Sequence, residues 1–197
     1  MILSGILFAE EGEIPVKYNK TFILKDGRSC IVRNGTEQDA EAVWEIFRLT
    51  HAQTDYLLSG PEENSFNVEQ EAQFLREKTE SADSVLIVAF VGGAAVGTAG
   101  IESVGKKEKV MHRASFGISV DREFWGLGIG RALTEGCIAC ARRAGYAQLE
   151  LDAVAKNRRA LTLYEHAGFV EYGRNPRGFR SRLSGWQELV LMRLELD

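Results

Sequence analysis

The chain has 197 residues, 45% of them apolar, which supplies one substantial core and suits a single domain, with or without an extension, better than two. Its 24 Lys plus Arg stand against 28 Asp plus Glu, so no global positive field draws it to nucleic acid or to an anionic membrane, and any anion site has to be built locally. The three cysteines, Cys30, Cys137 and Cys140, form no Cys/His grouping of the metal-binding kind; they read as small buried residues in a reducing, cytoplasmic compartment, with no metal.

In chain order, MILSGILFAEEGE lacks the basic start and small-residue cleavage site of a secretory signal. No apolar run approaches the roughly 18 to 20 residues that cross a bilayer, so no membrane association is expected. Residues 1–20 read as an N-terminal extension before one domain over 21–197. FILKDGRSCIVR is expected to form two short strands about an Asp26-Gly27 turn, because Asp-Gly favours the positive φ of a tight hairpin. Thr36 with Asp39 resembles an N-cap followed by an acid three residues on, opening a helix over 37–53. A second helix is expected over 68–80, after a polar loop containing Pro61 and Asn64.

Three β-rich runs follow, 84–91, 94–104 and 111–120, with spacers short enough for an antiparallel meander. The period then becomes helical over 127–144 and stops at Gly145. LELDAVA (149–155) reads as a buried strand, 157–168 as a helix, and FVEYGRN and GWQELVLMRLEL as two strands joined by an arginine-rich connection. The fold class is therefore α/β (α+β), a mixed and mostly antiparallel sheet flanked by helices.

The chemistry concentrates where ISVD runs into REFWGLGIGRAL, so that Gly126, Gly128 and Gly130 lie between a strand and the first turn of a helix. The first amides of a helix lack internal partners and sit at the positive end of its dipole, and glycine lets the backbone approach a phosphate without a Cβ in the way. Two nucleotide motifs fail on spacing. G-x-G-x-x-G ends on Arg131 in one register and Leu133 in the other, and no G-x-x-x-x-G-K-[ST] is present. A strand-to-helix turn with no ligand is the competing structural explanation.

VDREFWGLGIGRAL is similar to the acetyl-CoA-binding segment of the GNAT superfamily of N-acyltransferases, Arg/Gln-x-x-Gly-x-Gly/Ala, with Trp125, Gly128 and Gly130 at those positions. Trp125 departs from the usual Arg or Gln. LELDAVAKNRRALTLYEHAGF resembles the family's later strand and helix, with Asn157, Ala160, Leu163-Tyr164 and Gly168-Phe169 at its spacings. The resemblance implies that main chain near Ile118 and Val120 bonds the pantetheine arm, and that the amides of Leu127, Gly128, Ile129, Gly130 and Arg131 hold the pyrophosphate. It also implies that Asn157 reaches the cofactor and Tyr164 lies near its sulfur. Arg131, Lys156, Arg158 and Arg159 are either phosphate partners or solvated helix-surface charges.

Acetyl transfer from a thioester to an amine needs a neutral amine, a polarised carbonyl and a protonated leaving thiol. Tyr164 is the candidate acid, because a phenol with a pKa of about 10 is protonated at neutral pH. Asp152, Glu102 and His112 are candidate bases, while His51 and His166 read as helix-surface residues. Arg174, Arg177, Arg180 and Arg182 either bind an anionic acceptor or form a solvated hairpin. The expected activity is transfer of acetyl from acetyl-CoA, without a metal, to a small-molecule amine. The alternatives are a protein N-terminus or lysine as acceptor, or a non-catalytic acetyl-CoA-binding module; homodimerisation stays open.

Overall fold

In the computed structural model, residues 14–63 and 66–196 are described, so the reading of MILSGILFAEEGE falls outside them. The first hairpin joins β1 (Asn19–Ile23) to β2 (Ser29–Asn34) around Gly27, whose φ of 87° is the left-handed value that the Asp-Gly pair predicts. A short 3-10 turn at Glu37–Asp39 opens α1 (Ala40–Ala52). Asp39 holds that start by accepting from the Thr36 amide at 2.8 Å and from Arg33 at 2.7 Å. Helix α2 (Val68–Glu80) is capped reciprocally, with Gln70 N donating to Asn67 Oδ1 at 2.9 Å and Asn67 N to Gln70 Oε1 at 3.0 Å.

Strands β3 (Val85–Val91), β4 (Ala94–Ser103) and β5 (Arg113–Val120) form the expected antiparallel meander. After it come α3 (Ile129–Arg143), β6 (Gln148–Val154), α4 (Arg158–His166), β7 (Val170–Ser181) and β8 (Gly185–Glu195). One eight-stranded sheet results, in the order β1-β2-β3-β4-β5-β6-β8-β7, antiparallel except where β5 meets β6.

The sheet separates two cores because its side chains alternate faces. Val85, Ile87 and Ala89 of β3 pack with α3, whereas Val88 packs with Ala40 and Val43 of α1 and Leu75 of α2. Helix α3 buries Ile129, Leu133, Cys137 and Ala141, each Leu-sized side chain contributing about 1.5–3 kcal/mol. Gly136 sets its distance from the sheet: a Cβ there would lie 2.7 Å from Ile87 Cδ1. All three cysteines are free and buried, and burial pushes the Cys140 thiol up to about 11.

Val16 and Tyr18, in the segment read as an N-terminal extension, are buried in the main core. One feature differs from the sequence reading. The arginine-rich connection is itself strand: β7 runs to Ser181 and pairs Phe179 with Gln187 and Arg180 with Trp186. A register shift between Asn175 and Phe179 takes up Pro176 and Gly178, residues that signal a loop but are tolerated at a bulge.

Candidate active site

The site begins where the parallel pairing stops. β5 and β6 match only from Arg113 with Gln148 to Ser115 with Glu150, and then diverge. The amide of Asp121 donates to Val96 O at 2.9 Å and that of Val104 to Arg113 O at 3.0 Å, which turns the odd-numbered main chain of β5 toward β4. The even-numbered groups, Ile118 and Val120 included, therefore face β6 beyond the point where β6 pairs with them. The split is a row of open backbone donors and acceptors. Val120 O is taken, since the Trp125 indole N–H donates to it at 2.7 Å, so the open polar group of Val120 is its amide.

At the wide end of the split lies the glycine turn. Gly126 and Gly128 have φ values of 85° and 105°, which an L side chain rarely adopts, and nothing lies within 4 Å of where a Gly128 Cβ would be. Leu127 O accepts from Lys25 N at 3.1 Å, tethering the turn to the first hairpin. Among the described residues, the amides from Leu127 to Arg131 have no acceptor. Unpartnered amides converging at a helix N-terminus, beside a surface free of Cβ atoms, fit a pyrophosphate. Gln53 supports the turn from α1, its Nε2 donating to Asp121 Oδ1 and its Oε1 accepting from Arg122 N, both at 2.8 Å. Nothing in the pattern around Gln53 announces that role; it depends on α1 ending over the turn.

Split, turn and helices enclose a cavity of about 1080 Å³. Tyr164 lines it with its ring buried edge-on to Phe116, centroids 6.1 Å apart, and near Phe169 at 6.0 Å. Burial pushes the phenol far above its ordinary pKa, and no described residue accepts from its hydroxyl. Asn157 also lines the cavity, but its Oδ1 caps α4 by accepting from Ala160 N at 3.2 Å, which leaves its amide nitrogen for a ligand. Among the basic candidates, Arg131 pairs with Glu135 at 2.7 Å. Arg159 lines the cavity and stacks 4.7 Å over the Trp125 ring, whereas Lys156 and Arg158 do not reach it.

Asp152 and Glu102 line the cavity on the face of the sheet covered by α1 and α2. Partial desolvation, then the charge of Glu150, raise the pKa of Asp152, and no described residue donates to its carboxylate. Glu102 is paired with Lys78 at 2.6 Å. Glu150 is paired with Arg113, whose Nη2 donates at 2.8 Å. His112 is exposed at the start of β5, on the closed side of the split and outside the cavity.

His51 is not the surface residue its sequence position suggests. It is half-buried against the cavity, stacked on Phe47 with centroids 3.7 Å apart and with Nδ1 2.7 Å from Phe47 O. Burial lowers its pKa. Next to it, Thr50 Oγ1 donates to Ser119 Oγ at 3.3 Å, linking α1 to β5. The hairpin arginines are spent elsewhere. Arg174 bonds Glu171 and Glu188, Arg177 and Arg180 lie 5.3 and 5.5 Å from the Trp186 ring, and neither these nor Arg182 lines the cavity. Among the described residues no cluster of His, Cys, Asp and Glu is placed to hold a metal, and no helix is long and apolar enough to cross a membrane.

A strand pair that splits beside a helix N-terminus with unpartnered amides is the feature around which the site is built. In comparison with known proteins, the model of the acetyltransferase (GNAT) family matches residues 42–169. The chain belongs to the GNAT acetyltransferase family.

Over 82 residues it is 35% identical to the ribosomal protein bS18-alanine N-acetyltransferase of Escherichia coli K12, a match covering 42% of this chain and 55% of that one. The chain spans less than two thirds of the length of the first curated relatives it matches. Among solved structures, a GNAT acetyltransferase from Streptococcus pneumoniae superposes with a TM-score of 0.80 at 23% identity, covering 84% of this chain and 99% of the other. The yncA protein of Salmonella typhimurium, solved with its cofactor acetyl-CoA, gives 0.75 at 20%, covering 85% and 94%.

Proposed function

We propose that the protein is an acetyl-CoA-dependent N-acetyltransferase that moves an acetyl group to the primary amine of a small molecule by direct attack on the thioester. The observation that carries this reading is the split between β5 and β6, whose residues Ile118 and Val120 line the same cavity as Gly128, Gly130 and Arg131 of the glycine turn and Tyr164; Leu127 and Ile129 do not line it. The amides of the split and of the turn would hold the pantetheine and pyrophosphate, with Asn157 and Arg159 beside them. Acetyl-CoA supplies the activated acyl group.

The chain's own groups do the rest. An amide of the split near Ile118 donates to the acetyl carbonyl oxygen and stabilises charge developing there. Tyr164, kept protonated by its apolar surroundings, gives its proton to the departing sulfur. Asp152 takes the proton of the attacking amine, directly or through water; its raised pKa makes it a stronger base than an ordinary aspartate. Glu102, engaged with Lys78, is the weaker candidate for that step.

A protein acceptor is the second reading, and the relative that acts on a ribosomal protein favours it. Against it, Asp55 of the loop after α1 accepts from Ser181 Oγ at 2.6 Å and from Ser184 Oγ at the tip of the β7–β8 hairpin, which ties down a loop that lines the cavity through Thr54, Tyr56 and Leu58. The test is thermal stability with acetyl-CoA, followed by thiol release across a panel of amines and peptides. Failure of acetyl-CoA to raise Tm overturns the donor reading, and stabilisation without turnover leaves a binding module.

A further inference from the structure

The cavity is electrically asymmetric, and the asymmetry selects among acceptors. Of the cationic side chains that line it, Lys25, Arg131 and Arg159 lie at the glycine turn, where phosphates are expected; Arg131 is paired with Glu135 at 2.7 Å, so Lys25 and Arg159 carry the positive charge there. At the other end the one cation on the lining is Lys78, and Glu102 neutralises it at 2.6 Å. Glu150 is likewise balanced by Arg113. Asp152 has no such counter-charge, and Glu63, whose Oε2 accepts from Gly60 N at 2.5 Å, is matched by no cation on the lining. His51 adds no charge at neutral pH, because burial lowers its pKa. The hairpin arginines, the chain's obvious anion receptors, are outside the cavity.

The walls at this end are apolar. Phe47 of α1 and Phe74 of α2 form the roof, and the connecting loop adds Tyr56, Leu58 and Phe66. These three loop side chains stay exposed, Leu58 to 71%, although all of them line the cavity. Apolar surface facing a cavity is covered favourably by an apolar ligand, at about 25 cal/mol per Å². A carboxylate or phosphate brought to the same place would meet Asp152 and Glu63 with no free guanidinium to receive it.

On the basis of the acetyl-transfer reading, we propose that the acceptor is a primary amine carried on an aromatic or bulky apolar body that bears no carboxylate or phosphate. Its ammonium enters toward Asp152 while its ring lies among Phe47, Phe74 and the loop residues. The ammonium loses one proton to Asp152, which releases it to solvent; the neutral nitrogen bonds to the acetyl carbon, the carbon–sulfur bond breaks with the thiolate protonated by Tyr164, and the second proton of the nitrogen returns the Tyr164 phenolate to a phenol.

The experiment measures thiol release from acetyl-CoA with 2-phenylethylamine, phenylalanine, glutamate, spermidine and an alanine-initiated peptide. The first should exceed phenylalanine and glutamate in kcat/KM by about 10²-fold, since a like charge placed beside an unpaired carboxylate is rejected by that order. It should exceed spermidine by at least about tenfold, for want of apolar contact. Phe47→Leu and Phe47→Ala should raise the KM for 2-phenylethylamine stepwise and leave that for acetyl-CoA unchanged. Equal rates across the panel, a preference for glutamate or spermidine, or turnover confined to the peptide overturns the proposal. No turnover on any amine, with Tm still raised by acetyl-CoA, removes the acyl-transfer reading itself.

Discussion

The two ends of the cavity are made of different materials. On the proposed reading the donor end is backbone: the open amides of Ile118 and Val120, the amides from Leu127 to Arg131, and glycines whose φ values suit them to the turn. On the same reading the acceptor end is side chains brought from separate elements, with Phe47 and His51 on α1, Phe74 on α2, Asp152 on β6, and a loop fastened by Asp55 to the distant hairpin. A backbone site tolerates exchange of surrounding side chains provided the local conformation survives. A side-chain site changes its ligand with each residue, which suits a family whose members share a donor and differ in acceptor.

Substitutions can break that division of labour. Between the two ends, Tyr164→Phe should cost most, lowering kcat by about 10²–10⁴ while leaving the Kd for acetyl-CoA within twofold, measured by steady-state kinetics and titration. An unchanged kcat removes Tyr164 from the acid role.

Asp152→Asn should lower kcat/KM by about 10² and alter its pH profile. A base acts when deprotonated, and the folded-state pKa of Asp152 is raised by desolvation first and Glu150 second. The wild-type rate should therefore fall, as the medium is acidified, at a pH above the ordinary aspartate range, and the variant should lack that limb. A limb that persists points to another base, of which His51 is the nearest untested candidate.

At the donor end, Gly128→Ala should raise the Kd for acetyl-CoA about tenfold. A residue with a Cβ held at φ 105° is strained by about 1–2 kcal/mol, while the acceptor KM has no reason to move. Trp125→Phe should weaken acetyl-CoA by about fivefold, the value of the roughly 1 kcal/mol hydrogen bond that holds the Val120 carbonyl. Arg182→Ala, outside the cavity, should change neither KM by more than about twofold; a larger rise in the acceptor KM would return the hairpin arginines to acceptor binding.

Local chemistry made much of the frame legible. The Asp26-Gly27 turn, the Thr36 and Asp39 start of α1, the span of α2 and the amphipathic α3 each follow from side chains within a few residues of one another, and the structure repeats them. The second half of β7, beyond Asn175, was hidden for the opposite reason. Pro176, Gly178 and the arginines signal a loop locally, and the pairing partner on β8 that overrides them lies across the hairpin. His51 was hidden in the same way, since its ring lies on a helix edge that only the cavity makes an inner surface.

By itself the sequence determined the order of elements and the likeness of its glycine turn and Asn157…Tyr164 helix to a known donor pattern, because glycine φ, capping and periodicity are short-range properties. Tertiary structure decided where β5 and β6 part, that Trp125 bonds the Val120 carbonyl and Gln53 braces the turn, and that Asp152, Glu63 and the aromatic side chains of α1 and α2 line one cavity. Each of these depends on the distance and orientation of groups far apart in the chain, which only packing around a common core sets.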